Sequence, residues 1–508
     1  MYRQSSPGQL SFENFYLPFG GQLSGDNRWV KLAELMPWEK CEQEYARQFS
    51  QSEGAPAKSF RVALGALIIK ERLGTSDRET VEQIRENPYL QYFLGFHEYR
   101  DEAPFDPSML THFRQRLGME ILVEVNEALL KPFLEPSSPE LECANEPSAC
   151  QSEESKDGND SDDPPAPPNQ GKLLIDASCA PADIAYPTDW SLLNQARQHS
   201  EAILDALYQQ VRRAGIKKPR TYRHQARRAY LKIAKQRRPS RAQKRKAIGA
   251  QLRYLRRNLG HIDRLIEIGA SLAHLSRRHY RLLLVIHEVF RQQQFMYKQW
   301  QHRIEHRIVS LTQPHVRPIV RGKAGTAVEF GAKLSASCIE GFAFLDRLSW
   351  EAFHESADLQ QQVERFKTRC GHYPKVVCAD QIYRTRANRR WCRARGIRLS
   401  GPPLGRPPAD GQLQAQMAKQ AHADACERNA IESKFGQAKR RFGLGRIMAK
   451  LADTAQTTIA LTFLVMNLQR LLSRLLLSCW LVHVLAGFFW QPTRTPLRSD
   501  EQTFLLAA

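Results

Sequence analysis

Apolar residues recur at three- and four-residue spacing through most of the first 134 residues, which predicts helices. SFRVALGALIIKERLG (59–74) has this spacing. TSDRETVEQIRENPYLQYFLG follows, with polar capping residues at its start and Pro88 interrupting it. FDPSMLTHFRQRLG (105–118) places Asp106 before Pro107, a helix-start signal, and a longer apolar-periodic helix is predicted to about Leu134. Short helices with tight turns suit a helix-turn-helix-like unit and equally a plain helical bundle used for dimerisation. The pattern does not choose between them.

At GKLLIDAS (171–178) the texture changes to a short apolar run ending in Asp176. It predicts a buried strand that delivers a carboxylate at its C-terminal end. Helical periodicity returns over 190–309 and predicts two or more long helices. VEFGAKLSASCI and GFAFLDRLSW, separated by a tight Glu-Gly turn, predict an antiparallel hairpin. ESADLQQQVERFKTRCG predicts an amphipathic helix, and KVVCAD (375–380) a second apolar strand ending in Asp380. A basic helix, IYRTRANRRWCRARG, and a short strand, IRLSG, come next. Residues 412–442 and most of 452–490 are predicted helical. The segment 135–170 is rich in Pro, Ser and acidic residues and has no aromatic residue, so it cannot bury enough to fold and predicts a disordered linker.

Charge sharpens this outline. The 508 residues carry a formal net charge of +21, a surplus that argues for a polyanionic partner, nucleic acid or an anionic membrane. Residues 211–260 hold 19 Lys or Arg and no Asp or Glu, nearly the whole surplus. Such a run repels itself unless something anionic lies against it. Arg237, Arg238, Lys244, Arg245 and Lys246 are its candidate DNA contacts. Ten cysteines without a CxxC pair argue against a zinc ribbon or a disulfide scaffold and fit a reducing compartment. LLLSCWLVHVLAGFFW (475–490) is sixteen residues long, short of the roughly 20 a membrane span wants, and reads as a buried or oligomer-forming helix.

Two strand–Asp units and a later helix bearing Glu432 give a sequence reason for three carboxylates to meet. In α/β sheets functional groups gather at the carboxyl ends of strands. Three carboxylates meeting there cannot all ionise cheaply without a cation. Mg²⁺ is the cation that suits oxygen ligands and phosphate substrates, and two such ions serve phosphodiester chemistry. In ERNAIESKFGQAKRRFGLGRI (427–447), helical geometry sets Arg428, Glu432 and Lys439 on one stripe. There Arg428 and Lys439 could grip phosphates on either side of Glu432. A simple ion pair also predicts Arg428 and Glu432 on one face, at i and i+4.

Together these segments resemble the DDE transposases of bacterial insertion sequences, and the resemblance covers nearly the whole chain. It is carried by IDASCAPADIAYPTD, QPHVRPIVRGKAGTAVEFGAKLS, GFAFLDRLSW, VVCADQIYRT and RNAIESKFGQAKRRFGL. The family's third-carboxylate signature is Tyr, two residues, Arg, three residues, Glu, six residues, Lys. Arg428, Glu432 and Lys439 match it, and Ala425 stands at the Tyr position. That departure touches a substrate contact more than the metal site.

The resemblance implies an α/β fold with an RNase H-like mixed-sheet core, interrupted by a long basic helical insertion and preceded by an all-α N-terminal domain. It implies the catalytic and metal-binding set Asp176, Asp380 and Glu432, with two Mg²⁺ ions or Mn²⁺ in their place. It implies DNA cleavage at element ends and joining of the freed 3′-OH to target DNA, on a homo-oligomer, a dimer on paired ends. The expected layout is a helical DNA-binding or dimerisation domain over 1–134 and the acidic linker over 135–170. The first part of the core follows at 171–189, the basic insertion at 190–310, the second part of the core at 311–450, and C-terminal apolar helices and tail at 451–508. The expected setting is the bacterial cytoplasm, on the nucleoid and not in a membrane.

Arg440 and Tyr383 complete the candidate DNA contacts, with Tyr383 equally suited to packing under the site. Asp183 and Asp189 rank below Asp176 because Asp176 directly ends the apolar run; turn or helix-cap roles suit them. Trp190 suits stacking on DNA or core packing. His315, His354 and His372 show no metal-ligand spacing. Two other readings stand beside the transposase: an RNase H-like nuclease without strand joining, and a DNA-binding relic whose site no longer works.

Overall fold

A computed structural model describes residues 11–18, 20–50, 56–134, 168–212, 215–323, 326–402, 405 and 410–489. Most of the predicted linker, 135–167, lies outside the described residues. Six helices come first: α1 (Arg28–Leu35), α2 (Trp38–Ala46), α3 (Phe60–Leu73), α4 (Asp77–Glu86), α5 (Pro88–Phe93) and α6 (Met109–Leu134). Local chemistry sets their ends. Ser59 and Ser76 cap α3 and α4 through their side chains, and Gly74 closes α3 at φ +68°, a conformation that suits glycine. Asn87 caps α5, whose first residue is Pro88, so the proline opens a new helix after α4 has ended. Gly118, at φ 64°, kinks α6.

Strand β1 (Lys172–Pro181) leads into four helices: α7 (Asp189–Val211), α8 (Arg223–Ala234), α9 (Arg241–Glu267) and α10 (Arg277–Gln299). Leucines and isoleucines of α7, α9 and α10 pack into a hydrophobic cluster of their own. The chain then returns to the sheet with β2 (Arg317–Lys323), β3 (Thr326–Ile339) and β4 (Phe342–Ser349). The β3–β4 pair is the antiparallel hairpin expected from the sequence. Its turn residues Glu340 and Gly341 both have positive φ, the geometry a two-residue hairpin favours. Helix α11 (Leu359–Cys370), β5 (Val376–Cys378), α12 (Arg386–Arg393), β6 (Arg398–Leu399), α13 (Gly411–Arg441) and α14 (Ala452–Phe489) complete the chain.

The sheet is mixed, in the order β2-β3-β1-β5-β6, with β4 also paired to β3. Strand β3 runs antiparallel to β1, β2 and β4, whereas β1, β5 and β6 are parallel. One hydrophobic core joins the N-terminal helices, the sheet and α14. Buried polar groups lock these layers together. Asn467 of α14 accepts from Ala343 N of β4 (2.9 Å) and donates to Asn126 of α6 (2.9 Å). Arg369 of α11 reaches Glu127 of α6 (2.7 Å) and Asp346 of β4 (3.2 Å). By length and composition, residues 452–478 of α14 could cross a membrane, but 67% of the apolar window is buried inside the protein.

Candidate active site

Two carboxylates reach the same place through strand register. Strands β1 and β5 pair in parallel, with Leu174 opposite Cys378. Asp176 and Asp380 each lie two residues beyond that pair. Neighbouring strands are about 4.8 Å apart, so the register delivers both side chains to one end of the β1–β5 seam. Their backbones then differ. Strand β5 stops at Cys378, and Asp380 caps a 3-10 turn (Gln381–Tyr383), its Oδ1 accepting from Gln381 N at 2.7 Å. Strand β1 does not end at Asp176, as its apolar run suggested. It continues to Pro181 because β3 pairs with it that far, and Asp176 sits opposite Ala336.

Helix α13 brings the third carboxylate. Its packed face carries Asp424, Ile431, Phe435 and Ala438. Arg398 of β6 grips Asp424 with two bonds (2.6 and 2.8 Å), and Lys172 of β1 meets Glu427 at 2.6 Å. These ties lay α13 across the parallel edge of the sheet. One turn further on, Glu432 pairs with Arg428 at 3.0 Å. The far end is fixed as well. Ala182 and Ile447 form a parallel bridge, and Arg446 Nε donates to Asp183 at 2.8 Å.

Asp176, Asp380, Glu432 and Arg428 line one cavity of about 360 Å³, together with Glu355 and Lys333. Burial pushes the Asp176 carboxyl up to about 6; the Ala177 N–H and Arg428 oppose the rise, and Glu355 and Glu432 add to it. With every group ionised, four carboxylates and two cations leave two negative charges uncompensated. Carboxylate oxygens fit a hard divalent cation in kind. As placed, no group of three or more His, Cys, Asp and Glu among the described residues is gathered tightly enough to hold a metal ion.

The remaining candidates fall in different places. Lys439 is half-buried and Arg440 exposed at the last turn of α13, beyond the cavity lining. Arg237, Arg238, Lys244 and Lys246 are exposed on the helical unit. Arg245 is turned inward instead. It donates to Tyr297 O at 3.0 Å and lies 3.4 Å from the Trp300 ring centroid, so its guanidinium joins α9 to the end of α10. Tyr383 is fully buried and offers no surface to DNA, because the 3-10 turn after Asp380 folds it beneath the site. Asp183 and Asp189 are engaged by Arg446 and Arg307.

Glu355 and Lys333 were not foreseen. Glu355 sits in a short 3-10 turn (Glu355–Ala357) after β4, with no apolar run ahead of it to mark a strand end. Lys333 left a fainter signal, a single lysine between the buried Ala332 and Leu334 in the middle of an apolar strand.

Two parts of the chain match known families. Residues 377–469, which span Asp380 and Glu432, match the family described as "Transposase DDE domain", and residues 18–116 match "Transposase domain (DUF772)". The chain belongs to the DDE-type transposases of insertion sequences. The transposase is also 30% identical over 203 residues to "Uncharacterized protein ORF8 in nfe locus" of Rhizobium meliloti, covering 40% of this chain and 82% of that relative. No solved structure matches it. Family membership carries DNA as the substrate and divalent metal as the general requirement.

Proposed function

We propose that this transposase cuts DNA at the ends of its own element and joins the freed 3′-OH ends to target DNA in the cavity at Asp176, Asp380 and Glu432. The observation that carries this reading is the shared cavity, to which a parallel register brings two Asp and an anchored helix brings one Glu. Asp176, Asp380 and Glu432 would hold the divalent ions, Mg²⁺ or Mn²⁺. Bound ions supply charge stabilisation of the attacking and leaving oxygens in phosphodiester chemistry. Arg428 stands beside Glu432 to bind a phosphate, and Lys439 and Arg440 extend that cationic line along α13. Asp380 and Glu432 are exposed, whereas Asp176 is partly enclosed in the same cavity.

The strand order β4-β3-β1-β5-β6, with β3 antiparallel to β4 and β1 and with the β1–β5 and β5–β6 junctions parallel, supports an RNase H-like core. Helices α7 to α10, between β1 and β2, form the basic insertion in this reading, and its exposed cations bind DNA through phosphates. The N-terminal helices contribute to terminal-repeat binding. The working unit is a dimer on paired ends in the bacterial cytoplasm.

The test is Mg²⁺-dependent cleavage and strand transfer on a labelled duplex carrying the element's end, with Glu432→Gln beside wild type. The expected result is loss of both reactions in the variant while DNA binding persists. Equal cleavage by both proteins would overturn the three-carboxylate assignment. Cleavage without joining would make the protein a nuclease.

A further inference from the structure

Away from the carboxylate cavity, Arg72 in the last turn of α3 lacks the partners that an enclosed arginine needs. The residue is half-buried, and its Nη1 lies out of water with no hydrogen-bond partner. Among the described residues its guanidinium forms no hydrogen bond and no ion pair. It rests instead on the Trp29 ring, whose centroid is 5.2 Å from Cζ. Other enclosed arginines of these helices are satisfied. Arg61 donates to Phe93 O and Tyr92 O, both at 2.9 Å, and Arg114 grips Asp77 at 2.8 Å. Enclosing a guanidinium without such partners is costly. Two further cations border Arg72. Arg28 opens α1 next to Trp29, and Arg441 ends α13 next to Phe442. Thr462 of α14 ties the ends of α3 and α13 together, because its Oγ1 lies 2.7 Å from Glu71 Oε1 and 3.1 Å from Phe442 O. Arg28 and Arg441 are exposed and, among the described residues, form no ion pair. Burial holds the Arg72 guanidinium down at about 10, and the charges of Arg28 and Arg441 add to that effect.

We infer that Arg72, Arg28 and Arg441 form a second phosphate site, which takes the backbone of bound DNA where the N-terminal helices meet the end of α13. The inference deepens the proposed DNA binding by these helices and rests on that part of the reading, not on the metal chemistry. Three observations favour a ligand over a structural role. Arg72 makes none of the bonds by which a structural arginine holds a fold together. Its charged neighbours carry the same sign, and such a group repels itself unless an anion lies among its members. Trp29 fixes the plane of the Arg72 guanidinium without using its N–H groups, and guanidinium forks match phosphate oxygens. The position fits a nucleic-acid backbone as well. Arg441 follows Glu432 on the same helix by about 13 Å along its axis. At about 3.4 Å of rise per nucleotide, that is about four steps of one DNA strand. A duplex lying along α13 therefore presents one phosphate at the carboxylate cavity and another at Arg441, Arg72 and Arg28.

The experiment is fluorescence anisotropy of a labelled DNA duplex titrated with the full-length protein, without divalent metal, at several salt concentrations. Wild type is compared with Arg28→Gln, Arg72→Met and Arg441→Gln, and with Arg47→Gln, which removes an exposed arginine already paired with Glu44. Each of the first three is expected to lower the slope of log K against log salt by about one and to weaken binding roughly five- to tenfold at about 0.1 M salt. Arg47→Gln should match wild type. Arg72→Met keeps the apolar stem and removes a charge that has no partner, so its denaturation midpoint should hold or rise. A lower midpoint with an unchanged slope would overturn the inference and make Arg72 a structural residue. Unchanged slopes in all three, with the duplex still bound, would overturn it and leave the proposed DNA binding standing. An equal loss in Arg47→Gln would reduce the effect to net charge and overturn it too. A wild-type protein that binds no duplex would sink the DNA-binding reading itself. Should Arg72→Met fail to fold, Arg28→Gln and Arg441→Gln decide, since both side chains are exposed.

Discussion

Arg428 and Glu432, one turn apart on α13, are joined by a 3.0 Å ion pair at the wall of the cavity that holds Asp176 and Asp380. Ion pair and active-site group are therefore not competing roles for these residues. The pair holds Glu432 in place, and in the proposed reading a phosphate would take Arg428 and a divalent ion Glu432. Arg428→Gln should leave stability almost untouched, because a partly exposed i, i+4 pair is worth only about 0.3–0.5 kcal/mol. It should weaken DNA binding and reduce the slope of log K against log salt by about one. Binding isotherms at four or five salt concentrations measure both. An unchanged slope with a large fall in stability would make Arg428 a structural residue.

Asp183 and Asp176 lie on the same strand and its extension, and a sequence reading has to choose between them. Asp183 faces Arg446 beyond α13, and its backbone N–H meets Ile447 O at 3.0 Å. Asp183→Ala keeps the backbone ties and loses an ion pair whose arginine is mostly exposed. A loss of about 0.5–1 kcal/mol is expected, with Mg²⁺-dependent cleavage slowed less than about tenfold. Asp176→Asn should abolish cleavage at near-normal stability. Single-turnover cleavage and urea denaturation of both variants test the assignment; abolition by Asp183→Ala would reverse it.

The sequence could be read this far because strand ends and helix periods are local. The hairpin, the KVVCAD strand with Asp380 just beyond its end, and the long helix under Glu432 each follow from spacing within a dozen residues. The rest depends on pairing. Asp176 looked like a strand end because the apolar run stops there, yet β3 extends the strand to Pro181 from 150 residues away in the chain. Glu355 comes from a turn with no pattern to mark it, and only the fold sets it in the cavity that Asp176 lines. Arg245 belonged to a run of identical charges, and contact with Trp300 and Tyr297 on a distant helix turn separates it from its neighbours. Tyr383 could have faced either way until the 3-10 turn after Asp380 fixed it inside.

Asn467 shows how the N-terminal helices and the sheet act as one body. Its carboxamide satisfies Ala343 N and O on β4 and Asn126 on α6, all out of water. Asn467→Ala leaves these groups unpaired in the core and should cost about 2–4 kcal/mol. Chemical denaturation checks this. A cost below about 1 kcal/mol would mean that water enters the gap and replaces the side chain.

Glu71 joins α3 to α14 and makes their contact sensitive to pH. The Thr462 hydroxyl donates to its Oε1 at 2.7 Å. Burial pushes the Glu71 carboxyl up to about 7, against the opposing effects of Thr462, Lys70 and Arg114. The folded protein thus holds this proton more tightly than the unfolded chain does, from an ordinary value of 4.5 up to about 7. The contribution to stability is complete below pH 4.5, declines as pH rises through that window, and is gone above about 7. The loss is at most about 3 kcal/mol. Glu71→Gln keeps an acceptor for Thr462 and removes the ionisation. The variant should match wild type near pH 4.5 and exceed it in stability at pH 8. The difference between the two denaturation midpoints, followed across that range, isolates Glu71 from every other titrating group. A difference that stays constant with pH would show that Glu71 ionises in the folded protein as it does in the unfolded one.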